Sequence, residues 1–282
     1  MGNLIRAAAL TASFSLAGPA HADSLFQWNQ GVNGSAPQKM LSAADNYCYL
    51  TRVAGKFRGY GERIRIRVVN GNWQLEGQSQ QQDVSAWARC FPRSEIKAPA
   101  GSERWSSEEF SATADNPGNG CVDTFPRNAW WGDAATVITL VTGALRGWGE
   151  RITINQSGDP FGPSTLVLHS CQKQLGVGAH SFFVGKPQSG RVARFIGPNG
   201  TGTPGQAGEY VSLPNQNVML APLFDSFCYF TEISGAFNGG GESVTILPGA
   251  DANGVNRWVL QARHASGTGV AAKVRCYARN QL

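Results

Sequence analysis

The sequence predicts an all-β chain of three homologous antiparallel β modules, set either as a pseudo-three-fold prism or as tandem small sandwiches and stapled by disulfides. Three observations carry this. One motif occurs three times: Leu50-Thr51-x-Val53-x-Gly55-x-Phe57-x-Gly59-x-Gly61-Glu62-x-Ile64-x-Ile66 returns as Ile138-Thr139-x-Val141-x-Gly143-x-Leu145-x-Gly147-x-Gly149-Glu150-x-Ile152-x-Ile154. It returns again as Phe230-Thr231-x-Ile233-x-Gly235-x-Phe237-x-Gly239-x-Gly241-Glu242-x-Val244-x-Ile246. Recurrence at such a spacing marks a supersecondary unit used again. The apolar residues around the motif alternate with period two, not 3.6. Glycine is abundant at 35 residues while charged residues make up only 15%, a composition typical of sandwiches, prisms and barrels.

Residues 1–22 have the pattern of an export signal. Arg6 supplies the positive end, Ala7 to Gly18 an apolar run, and Ala20-His21-Ala22 a small-x-small cleavage site. The run is too short to span a bilayer, which needs about 20 residues, and no later stretch is longer, so no membrane span is expected. Cleavage takes 22 residues from 282 and leaves 260 beginning at Asp23; loss of Arg6 takes the formal charge from +5 to +4. Basic residues are scattered, so no nucleic-acid partner is expected. Arg63, Arg65 and Arg67 share one strand face, but their counterparts Ser243, Thr245 and Leu247 are uncharged, so this stripe reads as a solvated face.

The first module is expected over 36–95, with strands near 38–43, 47–55, 62–69, 72–78 and 84–91. Ile64, Ile66 and Val68 alternate with the arginines, and Trp73 and Leu75 alternate with Gln74 and Glu76. Asn70-Gly71-Asn72 marks a hairpin between them. The second module is expected over 105–185 and the third over 206–282. The connection Pro248 to Asn256 is longer than its counterpart in the first module, as a surface loop would be. The Gly- and Pro-rich segment 186–208 reads as a linker or long loop. Trp73 and Trp258 align in strand phase and read as core.

Six cysteines in an exported chain suggest three bridges. Fifteen pairings exist for six cysteines; the repeats favour Cys48–Cys90, Cys121–Cys171 and Cys228–Cys276, each within one module. Each closes a loop of roughly 40–50 residues, worth about 3–4 kcal/mol in the chain-entropy model. No metal-ligand spacing occurs, so no metal and no cofactor are expected.

Gly-x-Gly-Glu invites comparison with a phosphate loop, but such a loop needs a helix after its glycines. Here Ile64 and Ile66 continue as strand. The glycines are expected to supply positive φ in a turn or bulge. Thr51, Thr139 and Thr231 recur, as do Glu62, Glu150 and Glu242, and Asp45, Asp133 and Asp225 three residues before the Cys48, Thr136 and Cys228 position. A recurring acid either ties a loop through backbone amides or meets a ligand. The x of Gly-x-Gly is Tyr60, Trp148 and Gly240 in turn. An aromatic ring between glycines is easily presented for stacking on a sugar or anchoring a partner. Trp130-Trp131 is a second candidate, since adjacent strand residues face opposite ways.

Catalytic patterns are weak. His169, His180 and His264 follow the leader without recurring in all three repeats, and no nucleophile elbow or metalloprotease helix is present. The number of modules is similar to that of three-fold lectins such as β-prism and β-trefoil proteins. The sequence therefore leads to a secreted or periplasmic non-enzymatic binding protein, lectin-like, with a glycan or cell-surface polymer as partner. The alternative is a structural or protein-interaction component of an extracellular assembly or toxin; a glycoside hydrolase using acids such as Glu62 or Glu150 is the remaining enzymatic option. The export reading has a direct check: the intact mass of protein recovered from a secreting host should correspond to a chain starting at Asp23, and retention of residues 1–22 would contradict it.

Overall fold

The fold is given by a computed structural model in which the described residues are 24–34, 36–81, 83–95, 110–114, 121–124, 130–131, 135–156, 163–171, 177–184, 195–197, 200–202, 210–212, 214–265 and 269–278. The expected leader and Asp133 lie outside them. The first stretch forms β1 (Ser24–Asn29), one helical turn α1 (Gln30–Asn33), β2 (Gln38–Ser42), β3 (Asn46–Lys56), β4 (Arg58–Val69), β5 (Asn72–Gln78) and β6 (Ser85–Pro92). The middle stretch forms β7 (Phe110–Ala114), β8 (Val122–Thr124), β9 (Trp130–Trp131), β10 (Ala135–Ala144), β11 (Arg146–Gln156), β12 (Pro163–Ser170) and β13 (Val177–Val184). The last forms β14 (Phe195–Gly197), β15 (Gly200–Gly202), β16 (Tyr210–Ser212), β17 (Gln216–Pro222), β18 (Ser226–Ala236), β19 (Asn238–Ala250), β20 (Asn256–Arg263) and β21 (Val270–Ala278). The chain is all-β, as the period-two alternation requires. β14 and β15 form a short hairpin inside the segment expected as a linker.

Three antiparallel sheets result. Their orders are β1-β6-β3-β19-β20-β17, β2-β5-β4-β10-β13-β7 and β15-β14-β21-β18-β11-β12-β8. Each centres on a pair of long strands from different stretches of chain: β3 with β19, β10 with β4, and β18 with β11. The first long strand of each stretch also pairs with its own last strand, β3 with β6, β10 with β13 and β18 with β21. No sheet is therefore confined to one stretch, and separate tandem sandwiches are not what the pairing shows.

A single residue carries the chain from one sheet to the next. Phe57 separates β3 from β4, Leu145 separates β10 from β11, and Phe237 separates β18 from β19. These three residues bond one another in a ring. Phe57 N–H donates to Phe237 C=O at 2.9 Å, Leu145 N–H to Phe57 C=O at 3.1 Å, and Phe237 N–H to Leu145 C=O at 2.8 Å. All three are fully buried, and the Phe57 and Phe237 rings meet edge-on at 5.8 Å.

Next to each crossing stands a glycine with positive φ: Gly55 at 107°, Gly143 at 95° and Gly235 at 103°. This corrects the expectation for Gly-x-Gly: among the described residues, the positive-φ glycine of the motif is the earlier one. A Cβ on Gly55 would collide with the Asp83 carbonyl, and one on Gly235 with the Gly269 carbonyl. The Asn70-Gly71 hairpin is present, with φ of 49° and 75°, the left-handed pair that a two-residue hairpin turn uses.

The core holds the apolar face of the motif strands, with Val53, Ile64, Ile66, Val141, Ile152, Ile233, Val244 and Ile246 all essentially inaccessible. Thr51, Thr139 and Thr231 are the extra residues where β3, β10 and β18 slip register against their partners, and all three are buried. Each therefore marks a β-bulge, which bends its strand. All three expected disulfides are formed. Cys48–Cys90 and Cys228–Cys276 join directly opposed residues of neighbouring strands. Trp73 and Trp258 are core residues whose indole N–H groups bond Asn46 C=O at 2.8 Å and Ser226 C=O at 3.0 Å. An aromatic cluster links the first and last stretches: Phe91 stacks on Phe227 at 5.0 Å, and Tyr49 meets Phe227 at 6.1 Å.

Gly55→Ala should cost well over 2 kcal/mol, since it adds a backbone collision to a left-handed strain of about 1–3 kcal/mol. Gly71→Ala has the same sign of φ but open space around it, so its loss should stay near 1 kcal/mol. Urea unfolding of the two variants checks the order; equal losses would contradict the close packing at Gly55.

Candidate functional site

Gly-x-Gly-Glu lies inside a strand, not in a turn before one. β4 already begins at Arg58, where the alternation suggested 62. The pairing explains the motif. Gly59 faces Gly143 while Arg63 faces Thr142, so residues 60–62 are inserted against no partner. The same holds between Gly147↔Gly235 and Arg151↔Ser234, and between Gly239↔Gly55 and Ser243↔Ala54. Each motif is thus a three-residue excursion from a central strand, beginning three residues after a crossing.

The repeated glutamates are the last residues of these excursions, and all three are buried. Glu62 is 2% exposed, and its Oε2 accepts from the Arg58 and Gly59 amides, both at 3.0 Å. The Thr142 hydroxyl donates to the Glu62 carbonyl at 2.7 Å. Glu150 is fully buried and accepts from the Cys171 amide at 3.3 Å, which ties its excursion to the Cys121–Cys171 bridge just past the end of β12. Glu242 is 1% exposed, with Oε2 so close to Gly239 that a Cβ there would lie 3.2 Å away. The second glycine lets the excursion fold down: a Cβ on Gly61 would press on the Gln80 side chain, and one on Gly241 would strike Ala265. All three carboxylates are packed into the protein, and those of Glu62 and Glu150 accept from backbone amides.

Asp45 and Glu62 stand far apart. Asp45 and Asp225 are exposed, in the turns that lead into β3 and β18; Asp45 C=O accepts from the Arg93 amide at 2.9 Å. Glu62 binds amides just beyond the far end of β3. An 11-residue strand separates the two, on the order of 30 Å at about 3.3 Å per residue. The separation of catalytic carboxylates in glycoside cleavage is about 5–10 Å.

Tyr60, Trp148 and Gly240 occupy the first inserted position of each excursion. Trp130 and Trp131 form β9, paired to Ser164 and Pro163 of β12. Among the described residues one set of metal-type donors comes together, Cys121, His169 and Cys171, within 4.8 Å. Its two sulfurs are joined to each other, which leaves no thiolate to ligate.

Sequence reasoning missed one surface. The register aligns Gln27, Trp87, Arg52, Thr245, Gln261 and Asn217 across all six strands of the first sheet. Directly opposed residues share a face, so these side chains form one row. Arg52 sits over the Trp87 ring, 4.9 Å from its centre, and its Nη1 donates to Thr245 Oγ1 at 3.2 Å. Burial lowers the Arg52 pKa, and the nearby charge of Arg263 lowers it further. No local pattern marks this row, because its members lie up to 234 positions apart, from Gln27 to Gln261.

Comparison with protein-family models, with curated proteins and with solved structures gives no match.

Replacing Glu62 by Ala strips the Arg58 and Gly59 amides of their acceptor. At about 1–3 kcal/mol for each unsatisfied buried group, the variant should lose about 2–4 kcal/mol in urea unfolding. Glu62→Gln keeps an acceptor and should lose less; a harmless Glu62→Ala would contradict the structural role.

Proposed function

We propose that this chain is three copies of one β module, exported from the cytoplasm, and that it is a non-enzymatic binding protein whose ligand is carbohydrate on a cell surface or matrix. The observation that carries the reading is the excursion itself. Three times, a glycine-flanked position is inserted into a central strand with no partner across it, two residues before a buried glutamate, and twice that position is an aromatic residue. Glu62 and Glu150 accept from backbone amides, which is a structural use of these acids rather than an acid-base one. Weak single contacts gain when several are linked, because the second becomes intramolecular and avidity rises by about 10²–10⁴. Three disulfides fit an oxidising compartment.

A glycan array tests this, comparing the wild-type chain with Tyr60→Ala/Trp148→Ala. Hits that weaken at least tenfold in the variant are expected; an empty array would overturn the reading, and hits the variant retains would remove Tyr60 and Trp148 from the binding surface.

One set of residues favours the assembly alternative. Met219 on the edge strand β17, Phe224 and Val255 are 45%, 55% and 44% exposed. A backbone bond from Leu223 N–H to Asn256 C=O brings the last two loops together. Exposed apolar side chains beside an open edge invite a second chain. Light scattering after size-exclusion chromatography separates the readings: a monomer at all concentrations is expected for the binding protein, and concentration-dependent growth that Met219→Lys abolishes would favour assembly.

A further inference from the structure

The row across the first sheet is chemically one-sided. Gln27 and Asn217 at its two ends are exposed, and Trp87, Arg52 and Gln261 are half-buried. The neighbouring row on the same face runs through Asn29, Ser85, Ala54, Ser243 and Arg263. Neither row contains a carboxylate. Among the described residues, Arg52 has the Thr245 hydroxyl and the Trp87 ring as its partners, and Arg263 has no ion pair. Both arginines thus stand on one face, Arg52 held by its neighbours and Arg263 exposed, and among the described residues neither has an anionic partner. Keeping a half-buried charge near a like charge is costly unless something neutralises it.

We propose that this face is a binding site for an acidic polysaccharide, with Arg52 and Arg263 taking the carboxylates of uronic-acid units and Trp87 supporting the sugar. This deepens the carbohydrate reading above and rests on it. A guanidinium fork matches a carboxylate with two parallel N–H bonds. Stacking on Trp87 and the bond to Thr245 fix the plane of Arg52 before any ligand arrives, which reduces the ordering cost of binding. Gln27, Gln261 and Asn217 offer amides along the row for sugar hydroxyls. Six strands about 4.8 Å apart make a row about 24 Å long, the footprint of an oligomer and not of a single sugar. A charged polymer also suits two arginines better than a neutral glycan does.

Calorimetric titration of the full chain tests the site with three probes: an oligouronide, a neutral glucan of equal length, and a single-stranded oligonucleotide of equal charge. The oligouronide should bind and the glucan should not. Arg52→Gln and Arg263→Gln should each weaken binding about tenfold, the loss expected for one charged hydrogen-bonded contact. Arg52→Lys, which keeps the charge and loses the fork, should fall between them and wild type. Unchanged thermal unfolding of the variants excludes a folding defect. Glycan binding that survives both Arg→Gln changes overturns this site and leaves the carbohydrate reading standing on Tyr60 and Trp148. Absence of any glycan binding overturns both. Equal affinity for the oligonucleotide, lost in the same variants, overturns the saccharide assignment in favour of a general polyanion surface.

Discussion

Three backbone hydrogen bonds hold the architecture together. Phe57, Leu145 and Phe237 each give an N–H to one neighbour and a C=O to the other, closing a ring at the point where three chain crossings meet. A buried peptide group left without a partner costs about 1–3 kcal/mol, and a crossing residue has left one sheet before joining the next. Its groups find partners only if the other two crossings are in place. The ring thus couples the three sheets, and each stretch of chain depends on the other two to satisfy its own backbone.

The rest of the motif follows from this constraint. A one-residue crossing demands a tight reversal, and Gly55, Gly143 and Gly235 supply the positive φ beside it. The strand beyond the crossing must then recover its register against a partner from another stretch. It does so by ejecting three residues, the last a buried glutamate, and Glu62 pins its copy through the Arg58 and Gly59 amides. Thr51, Thr139 and Thr231 bend the incoming strands. Glycine, glutamate and threonine recur because three crossings have the same backbone problem. The first inserted position does not recur: it is Tyr60, Trp148 and Gly240 in turn.

Local chemistry was legible in the sequence. Alternation placed Ile64, Ile66 and Trp73 inward, Asn70-Gly71 located the hairpin, and the spacing of the cysteines selected the three bridges that form. Long-range pairing was not legible. That β3 lies beside β19 depends on contacts between residues about 190 positions apart, for which period-two alternation carries no address. The start of β4 was missed for the same reason, since its first residues pair with β10 and lack an apolar pattern of their own. The Arg52 row was invisible because register alone creates it. Asp45 and Glu62, aligned in every copy, proved to stand at opposite ends of a strand: recurrence showed that both matter and not that they meet.

The recurring glycines stand at the crossings and the recurring acids are buried beside them, while the residues proposed for recognition lie elsewhere, at the first inserted positions and on the face of the first sheet. The account stands on the interdependence of the three crossings, and native-state hydrogen exchange tests it most directly. The amides of Phe57, Leu145 and Phe237 should exchange only through global unfolding, with one common free energy and the same dependence on denaturant. Exchange of any one of them through a cheaper local opening, with the other two still protected, would contradict it.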